Sequence, residues 1–445
     1  MDYRALAEAV ANDAALRRRQ RLQPVGGQGD KIFPPTYPPS EDMKALFGER
    51  NSTRPRRTPP RHVFERRRVK DLEFWCVLID SVQSQANRLE EALLAAIHEQ
   101  AIDLPYVTVD FAGTGLEGIS EITSLDAPHR VYDAILRDSL LGGEPFMKSP
   151  LGVRLAEAKP NDATALLEAS PTALLFGAWH STGEGGGLGA KFPRCLVSEI
   201  VGIDVPTELV DIGNGASGLL LGNGDRVRSV EPKPSGQRTG SRIDPLGVLR
   251  QAGDAALKWD GIFKTPTGWD VTAVAAGRGA KKVRPSEINH GNIAPTVQPL
   301  GITCDYAEHT AVISFAGLRR LGFGGSERGD QRNMAGRALL AALGLVALTE
   351  QDARGYALRS RCDLVCDGRA PLELVHADGG IDPVEIDVAT ARRLYGNAYA
   401  AARDAGFALS REPIRLAPQD KLVAIVKRSR ELALEGQGGE AVDES

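Results

Sequence analysis

The sequence predicts a mixed fold of strands and helices, α/β or α+β, on two main observations. Over residues 72–111, an almost wholly apolar run, an amphipathic stretch and a second apolar run succeed one another as strand, helix and strand. From residue 310 the succession returns as a strand, an Ala- and Leu-rich helix and closing strands. The composition agrees: 42% hydrophobic and 25% charged residues over 445 positions describe a globular chain with a sizeable core. That balance excludes a disordered chain, a coiled coil, collagen and a disulfide scaffold. At ~150 residues per domain, the length suggests two or three domains or one elaborated core.

Taken in order, residues 72–80 (LEFWCVLID) are rich in β-branched and aromatic residues and read as a strand buried on both faces. Ser84 can cap the following helix, with Leu89, Leu93 and Ile97 on one side and Glu90 and Glu91 on the other. Strands are expected at 105–111 and 119–125, and helices at 131–140 and 162–169, the second ended by Pro171. Residues 172–179 (TALLFGAW) read as a buried strand. Residues 206–300 are rich in Gly and Pro and carry the turn pairs Asn214-Gly215 and Asn223-Gly224, so they read as an insertion of flexible hairpins. The core resumes with a strand at 310–315, a helix at 334–349, strands at 358–365 and 372–376, and a last long helix at 389–405. The Gly-rich, acidic end from residue 435 reads as disordered.

The net charge of −4 hides an asymmetry. Residues 1–70 hold 16 Lys/Arg against 8 Asp/Glu, and the rest of the chain 38 against 50. The basic residues cluster at Arg17, Arg18, Arg19 and Arg21, at Arg54, Arg56, Arg57 and Arg61, and at Arg66, Arg67, Arg68 and Lys70. Between them, residues 31–39 (KIFPPTYPP) carry four prolines that forbid helix. This is the composition of a polyanion-binding arm, or of a solvated, partly disordered extension. No apolar run reaches the ~20 residues of a bilayer span, and the N-terminus lacks the plan of a secretory signal. Five scattered cysteines, Cys76, Cys195, Cys304, Cys362 and Cys366, point to reduced thiols and a cytoplasmic setting.

Few motifs carry chemistry. Residues 113–118 (GTGLEG) match a dinucleotide fingerprint after a strand, but the alternating residues that follow do not open a helix. Residues 183–191 (GEGGGLGAK) are not a P-loop, because Ala190 separates Gly189 from Lys191 and Phe192 follows. Five glycines in seven residues still let backbone amides approach a phosphate, with Trp179, His180, Lys191 and Arg194 supplying stacking and charge; the alternative is a plain surface loop. Residues 318–325 (LRRLGFGG) repeat that combination. Cys362 and Cys366 have no neighbouring Cys/His pair, the histidines form no His-x-x-x-His pair, and no Gly-x-Ser-x-Gly elbow marks a nucleophile. No metal or cofactor is expected. Asp80, Asp110 and Asp305 flank strands, where such residues cap turns more often than they catalyse.

Several stretches together carry a resemblance: residues 29–37 (GDKIFPPTY), 80–93 (DSVQSQANRLEEAL), His129-Arg130, 175–180 (LFGAWH), 191–200 (KFPRCLVSEI) and 285–292 (PSEINHGN). From about residue 20 to about residue 420, the chain resembles the backbone subunit of the type I-G (formerly I-U) CRISPR Cascade, in the repeat-associated mysterious protein (RAMP) superfamily. The resemblance implies an α+β fold with an RNA-recognition-like (ferredoxin-like) core, a long inserted thumb or fingers region and the basic N-terminal extension. It divides the chain into an Arg/Pro-rich arm (1–70), core segments at 71–205 and 301–428 around the insertion (206–300), and an acidic tail (429–445). It implies a non-catalytic subunit of antiviral defence that polymerises head to tail along guide RNA (crRNA) and presents it to target DNA. The implied partners are further copies of itself, a fused guide-processing/cap subunit and a large subunit, with no membrane. The alternatives are a ribonuclease of the same superfamily and a free-standing single-strand nucleic-acid-binding protein.

A sequence-blind guide binder needs cations for phosphates and amide-rich loops. The candidates are Lys31, Gln85, Asn87, Arg88, His129, Arg130, His180, Lys191, Arg194, Asn289, His290, Asn292, Arg319 and Arg320. The plain alternative for Gln85, Asn87 and Arg88 is an ordinary helix start, and for Asn289, His290 and Asn292 a polar loop satisfying its own backbone.

Overall fold

The computed structural model describes residues 1–37, 62–180, 191–212, 227–232, 238–239, 262–265, 268–270, 281–283, 297–298, 301–324 and 329–437. They fall into two compact units, one of residues 1–112, 117–235 and 301–418, the other of 113–116, 236–300 and 419–445.

The first unit opens with helix α1 (Tyr3–Asn12), capped by the Asp2 carboxylate, and strand β1 (Ala15–Pro24). β1 is the basic cluster at 17–21, and it is not a peripheral arm. Its residues alternate: Leu16, Arg18, Gln20 and Leu22 are buried while Arg19 and Arg21 face out. A strand of that period belongs where one face is covered. The outward arginines find carboxylates, Arg17 on Glu373 at 2.6 Å and Arg19 on Glu308 at 2.9 Å. The next cluster likewise forms strand β2 (Phe64–Val69), which hairpins with β3 (Leu72–Asp80), and Arg67 binds Glu199 at 2.8 Å. Cross-strand ion pairing, which net-charge counting cannot see, absorbs this positive charge. The cluster at 54–61 lies outside the described residues.

Helix α2 (Val82–His98) starts at Ser81, whose hydroxyl accepts from Ser84 N; Ser84, the expected cap, instead donates its hydroxyl to Asp80. Leu89 and Leu93 are buried as expected, but so is Glu90. A small second sheet follows, of β4 (Val107–Asp110), β5 (Glu121–Thr123), β6 (Ser139–Leu141) and β7 (Glu144–Pro145). The helix expected at 131–140 is broken into a 3-10 turn (Arg130–Tyr132), helix α3 (Ala134–Arg137) and β6. Asp133 interrupts it by capping α3. Helices α4 (Pro150–Ala156), α5 (Thr164–Ala169) and α6 (Pro171–Phe176) come next. The strand expected at 172–179 is thus mostly helix. Pro171 sits at its first turn, where proline is pre-organised, and a short apolar run suits a buried helix as well as a strand. Strands β8 (Ala178–Trp179), β9 (Lys191–Phe192), β10 (Leu196–Ile203), β11 (Thr207–Ile212) and β12 (Val227–Pro232) complete this stretch, β11 pairing antiparallel with β12.

In the second unit, β13 (Arg238–Thr239) pairs with β17 (Val297–Gln298), and β14 (Ile262–Thr265) pairs with β15 (Gly268–Asp270) and β16 (Lys281–Val283). All these pairings are antiparallel.

The first unit resumes with β18 (Tyr306–Ser314), α7 (Phe315–Arg319), α8 (Gly329–Arg354), β19 (Tyr356–Arg359), β20 (Cys362–Cys366), β21 (Leu372–Val375), β22 (Ile381–Val384), α9 (Val388–Asp404) and β23 (Ile414–Pro418). β23 joins the small sheet beside β4, parallel to it. The main sheet runs β19-β20-β1-β18-β10-β3-β2, antiparallel throughout. β1 lies between β18 and β20, and β18 between β1 and β10; in the chain α2 directly follows β3, and β19 directly follows α8. From Ala338 to Leu348, α8 is almost wholly buried, the mark of a helix apolar on every side. A Cβ on Gly344 would meet Ile313 Cδ1 at 2.8 Å, so the missing side chain sets how closely α8 lies on the sheet. The second unit closes with helix α10 (Asp420–Gln437), beyond the helix expected to be last.

Under α8 lies a buried polar network. His309 Nε2 is 2.6 Å from the Ser198 hydroxyl, and Nδ1 is 3.1 Å from the Tyr356 hydroxyl, which donates to Asp352. Asp352 also pairs with Arg18, while Gln85 accepts from Ser198 and from Gln351. Desolvation, helped by the charge of Arg18, holds His309 neutral, with its pKa well below 6.5.

Candidate nucleic-acid interface

The site forms where β8 and β9 bring together the two ends of the glycine-rich segment, residues 181–190, which lies outside the described residues. Ala178 pairs with Phe192 and Trp179 with Lys191. The Lys191 ammonium stands 5.6 Å from the Trp179 ring centroid, and the indole is 52% exposed. An open aromatic face beside a cation offers a base something to stack on and a phosphate a charge.

Behind this hairpin the packing is tight. Gly177 adopts φ +86°, and a Cβ there would lie 3.1 Å from Phe192 O and 3.0 Å from Arg194 Cγ. Its carbonyl accepts from Arg130 Nη1 at 3.0 Å. The other arms of Arg130 donate to both oxygens of Glu90, at 2.8 and 2.7 Å. Burial raises the Glu90 carboxyl to about 7, against the downward pull of Arg130. His180 stacks on Tyr132, centroids 4.9 Å apart, and Tyr132 donates its hydroxyl to Leu155 O at 2.7 Å. Burial, then the charge of Arg137, lowers the His180 pKa and keeps the imidazole neutral at pH 7. Partial burial, then Arg130, also lowers the pKa of Arg194. Among the described residues no carboxylate pairs with Arg194. Arg130 and Arg137, which act on Arg194 and His180 in this way, each hold a carboxylate of their own, Glu90 and Asp138.

The structure thus gathers Arg130, His180, Lys191 and Arg194 from the sequence candidates with Trp179, the residue expected to stack beside them, and adds Tyr132 and Arg137. Arg137 carries no motif, and its place follows from the broken helix. Arg320, exposed at the end of α7, is close enough to lower the pKa of the Cys195 thiol, which burial raises to about 11. His129 is exposed at the start of the 3-10 turn.

The other candidates serve the fold or stand apart. Gln85 is buried and bound within the core network, so it presents nothing to a solvent-side ligand. Arg88 binds Asp80 Oδ2 at 2.9 Å and Leu358 O at 2.6 Å. Asp80 is buried and accepts from Ser84, Gln85, Arg88 and Arg359, which makes it a hub of the fold. Asn87 is exposed on α2. Arg319 caps the C-terminus of α1, donating to Val10 O at 2.8 Å and Asp13 O at 2.7 Å. Lys31 stands 5.4 Å from the Phe33 centroid, beside the bridge between Ile32 and Ile302. Asn289, His290 and Asn292 lie outside the described residues. Among the described residues no group of three His, Cys, Asp or Glu side chains is placed to hold a metal ion, and no helix is long and apolar enough to cross a membrane.

Residues 16–207 match the model of a family described as CRISPR-associated protein GSU0053. That span runs from β1 through β10 and contains Arg130, Trp179, His180, Lys191 and Arg194. Over it, the chain is similar to a family of CRISPR-associated proteins. No curated protein matches the chain.

Proposed function

We propose that the chain is the non-catalytic backbone subunit of a type I-G CRISPR effector, binding guide RNA through its phosphates and polymerising along it. The observation that carries this reading is the exposed Trp179 face with the Lys191 ammonium beside it and Arg194 following on the same hairpin arm, inside the span similar to a CRISPR-associated family. The strand order supports the fold that goes with it. Order β20-β1-β18-β10 is compatible with a ferredoxin-like βαββαβ succession in which β2 and β3 are added before α2 and β19 after α8. Such a protein contributes geometry: cations fix the phosphates, the indole stacks without reading a base, and pairing is left to the guide.

The test is to purify the chain with its operon partners, measure the 260/280 nm absorbance ratio and run the bound nucleic acid on a denaturing gel. A discrete RNA species is expected, and absence of nucleic acid at low salt overturns the reading. Lys191→Glu with Arg194→Glu is expected to strip the RNA at lower salt and to flatten the salt dependence by about 1.4 in log–log slope. Unchanged RNA in that double variant removes the site. Incubation with complementary RNA and magnesium checks the catalytic alternative, since periodic cleavage abolished by one Asp→Ala change would make the chain a ribonuclease.

A further inference from the structure

A separate pocket of about 240 Å³ opens in the first unit where α9 faces the chain leaving α2. Its lining includes Asp103, Arg392, Tyr395, Tyr399, Arg403 and Arg411, so cations outnumber carboxylates. Two of the three arginines already have partners. Arg392 is held by Glu350 at 2.5 and 3.0 Å, and Arg411 binds Asp103 at 2.8 Å. Arg403 is exposed and has no carboxylate partner among the described residues. The two tyrosines differ in the same way. Tyr395 donates its hydroxyl to Asp103 O at 2.7 Å, whereas the buried hydroxyl of Tyr399 makes no hydrogen bond. An unpaired buried hydroxyl is uncommon in a folded protein and calls for an explanation. Tyr399 is 5% exposed, and the charges of Arg403 and Arg411 both act on it.

We propose that this pocket binds the phosphate group of a small phosphomonoester. Arg403 and Arg411 supply guanidinium donors, which suit a phosphate, and the Tyr399 hydroxyl donates to one of its oxygens. The volume falls below that of a pocket for a drug-sized ligand, so the carrier is small, of the size of a pentose. Gly396, which also lines the pocket, leaves open space where a Cβ would be, so a side chain there would grow into the site.

Inorganic phosphate and ribose 5-phosphate are titrated calorimetrically into the full-length protein at low salt, with acetate as the monoanion control. One equivalent of either phosphate compound is expected to bind, with acetate at least tenfold weaker. Tyr399→Phe and Arg403→Gln are each expected to weaken binding at least tenfold. Gly396→Met fills the pocket without removing a contact and is expected to abolish binding at an unchanged Tm. Lys148→Gln, an exposed cation away from the pocket, leaves binding as it is. The assignment is overturned by no binding to the unmodified protein, by equal binding of acetate, by binding undiminished in all three pocket variants, or by loss in Lys148→Gln.

Discussion

Arg130 holds Glu90 through two parallel hydrogen bonds of 2.8 and 2.7 Å, with the two side chains 9% and 2% exposed. The pair joins α2 to the turn beneath the Trp179 hairpin, and the third arm of Arg130 fixes Gly177 O. Removing one partner strands the other as a buried charge. Glu90→Gln and Arg130→Met are each expected to destabilise the fold by about 3–5 kcal/mol, and the double variant Glu90→Leu/Arg130→Met by less than either single change. Denaturant unfolding of the three variants measures this, and additive losses would show that the two residues act independently.

Two of the bonded histidines of the first unit, His376 and His309, are expected to move stability in opposite directions with pH. His376 bonds Asp13 at 2.8 Å and Asp382 at 3.0 Å, and those hydrogen bonds raise its pKa. Its contribution is complete below about pH 6.5 and is lost as pH rises through the folded value. His309 is lowered by desolvation, so the unfolded chain takes up the proton first and stability is lost as pH falls below about 6.5. His376→Gln is expected to flatten the alkaline side of the stability profile and His309→Asn the acid side. NMR titration of the ring protons assigns each limb.

Trp179→Ala is expected to weaken single-stranded RNA binding by about 1–3 kcal/mol while leaving Tm within a degree or so, because the indole is half exposed. Fluorescence anisotropy with a labelled oligonucleotide gives the loss, and a differential scan checks the fold. Full affinity in this variant would exclude stacking at this position.

Gly344→Val is expected to cost about 1–3 kcal/mol, because even its Cβ would press on Ile313 within the α8–sheet contact. Crystal or solution structures should show α8 displaced from β18.

Deleting residues 1–20 would be a mild change to a peripheral arm, but here it removes Ala15 to Gln20 from the strand between β18 and β20. Expression of insoluble or unfolded chain is expected, measured by circular dichroism and gel filtration.

The regular core was legible where pattern and composition agreed. The strand at 72–80, the amphipathic helix after it, and the strand and helix from 310 to 349 all appear, with α8 extending to Gly329–Arg354. Residues 172–176 were misread because a short, mostly apolar run fits a buried helix and a buried strand alike. The arginines of β1 were misread because their partners, Glu308, Asp352 and Glu373, lie hundreds of residues away in sequence. For the site, glycine spacing with Lys191 and Arg194 marked the place. The roles of Tyr132, Arg137 and Glu90 depend on long-range packing that no local motif records.

The position of β1 has a consequence during synthesis. The strand leaves the ribosome long before its neighbours, β18 and β20, which end at Ser314 and Cys366. The main sheet cannot close until Cys366 has left the ribosome. Contacts of such sequence separation form slowly and leave apolar strand faces exposed meanwhile. A translation product that stops short of Cys366 therefore lacks a finished sheet.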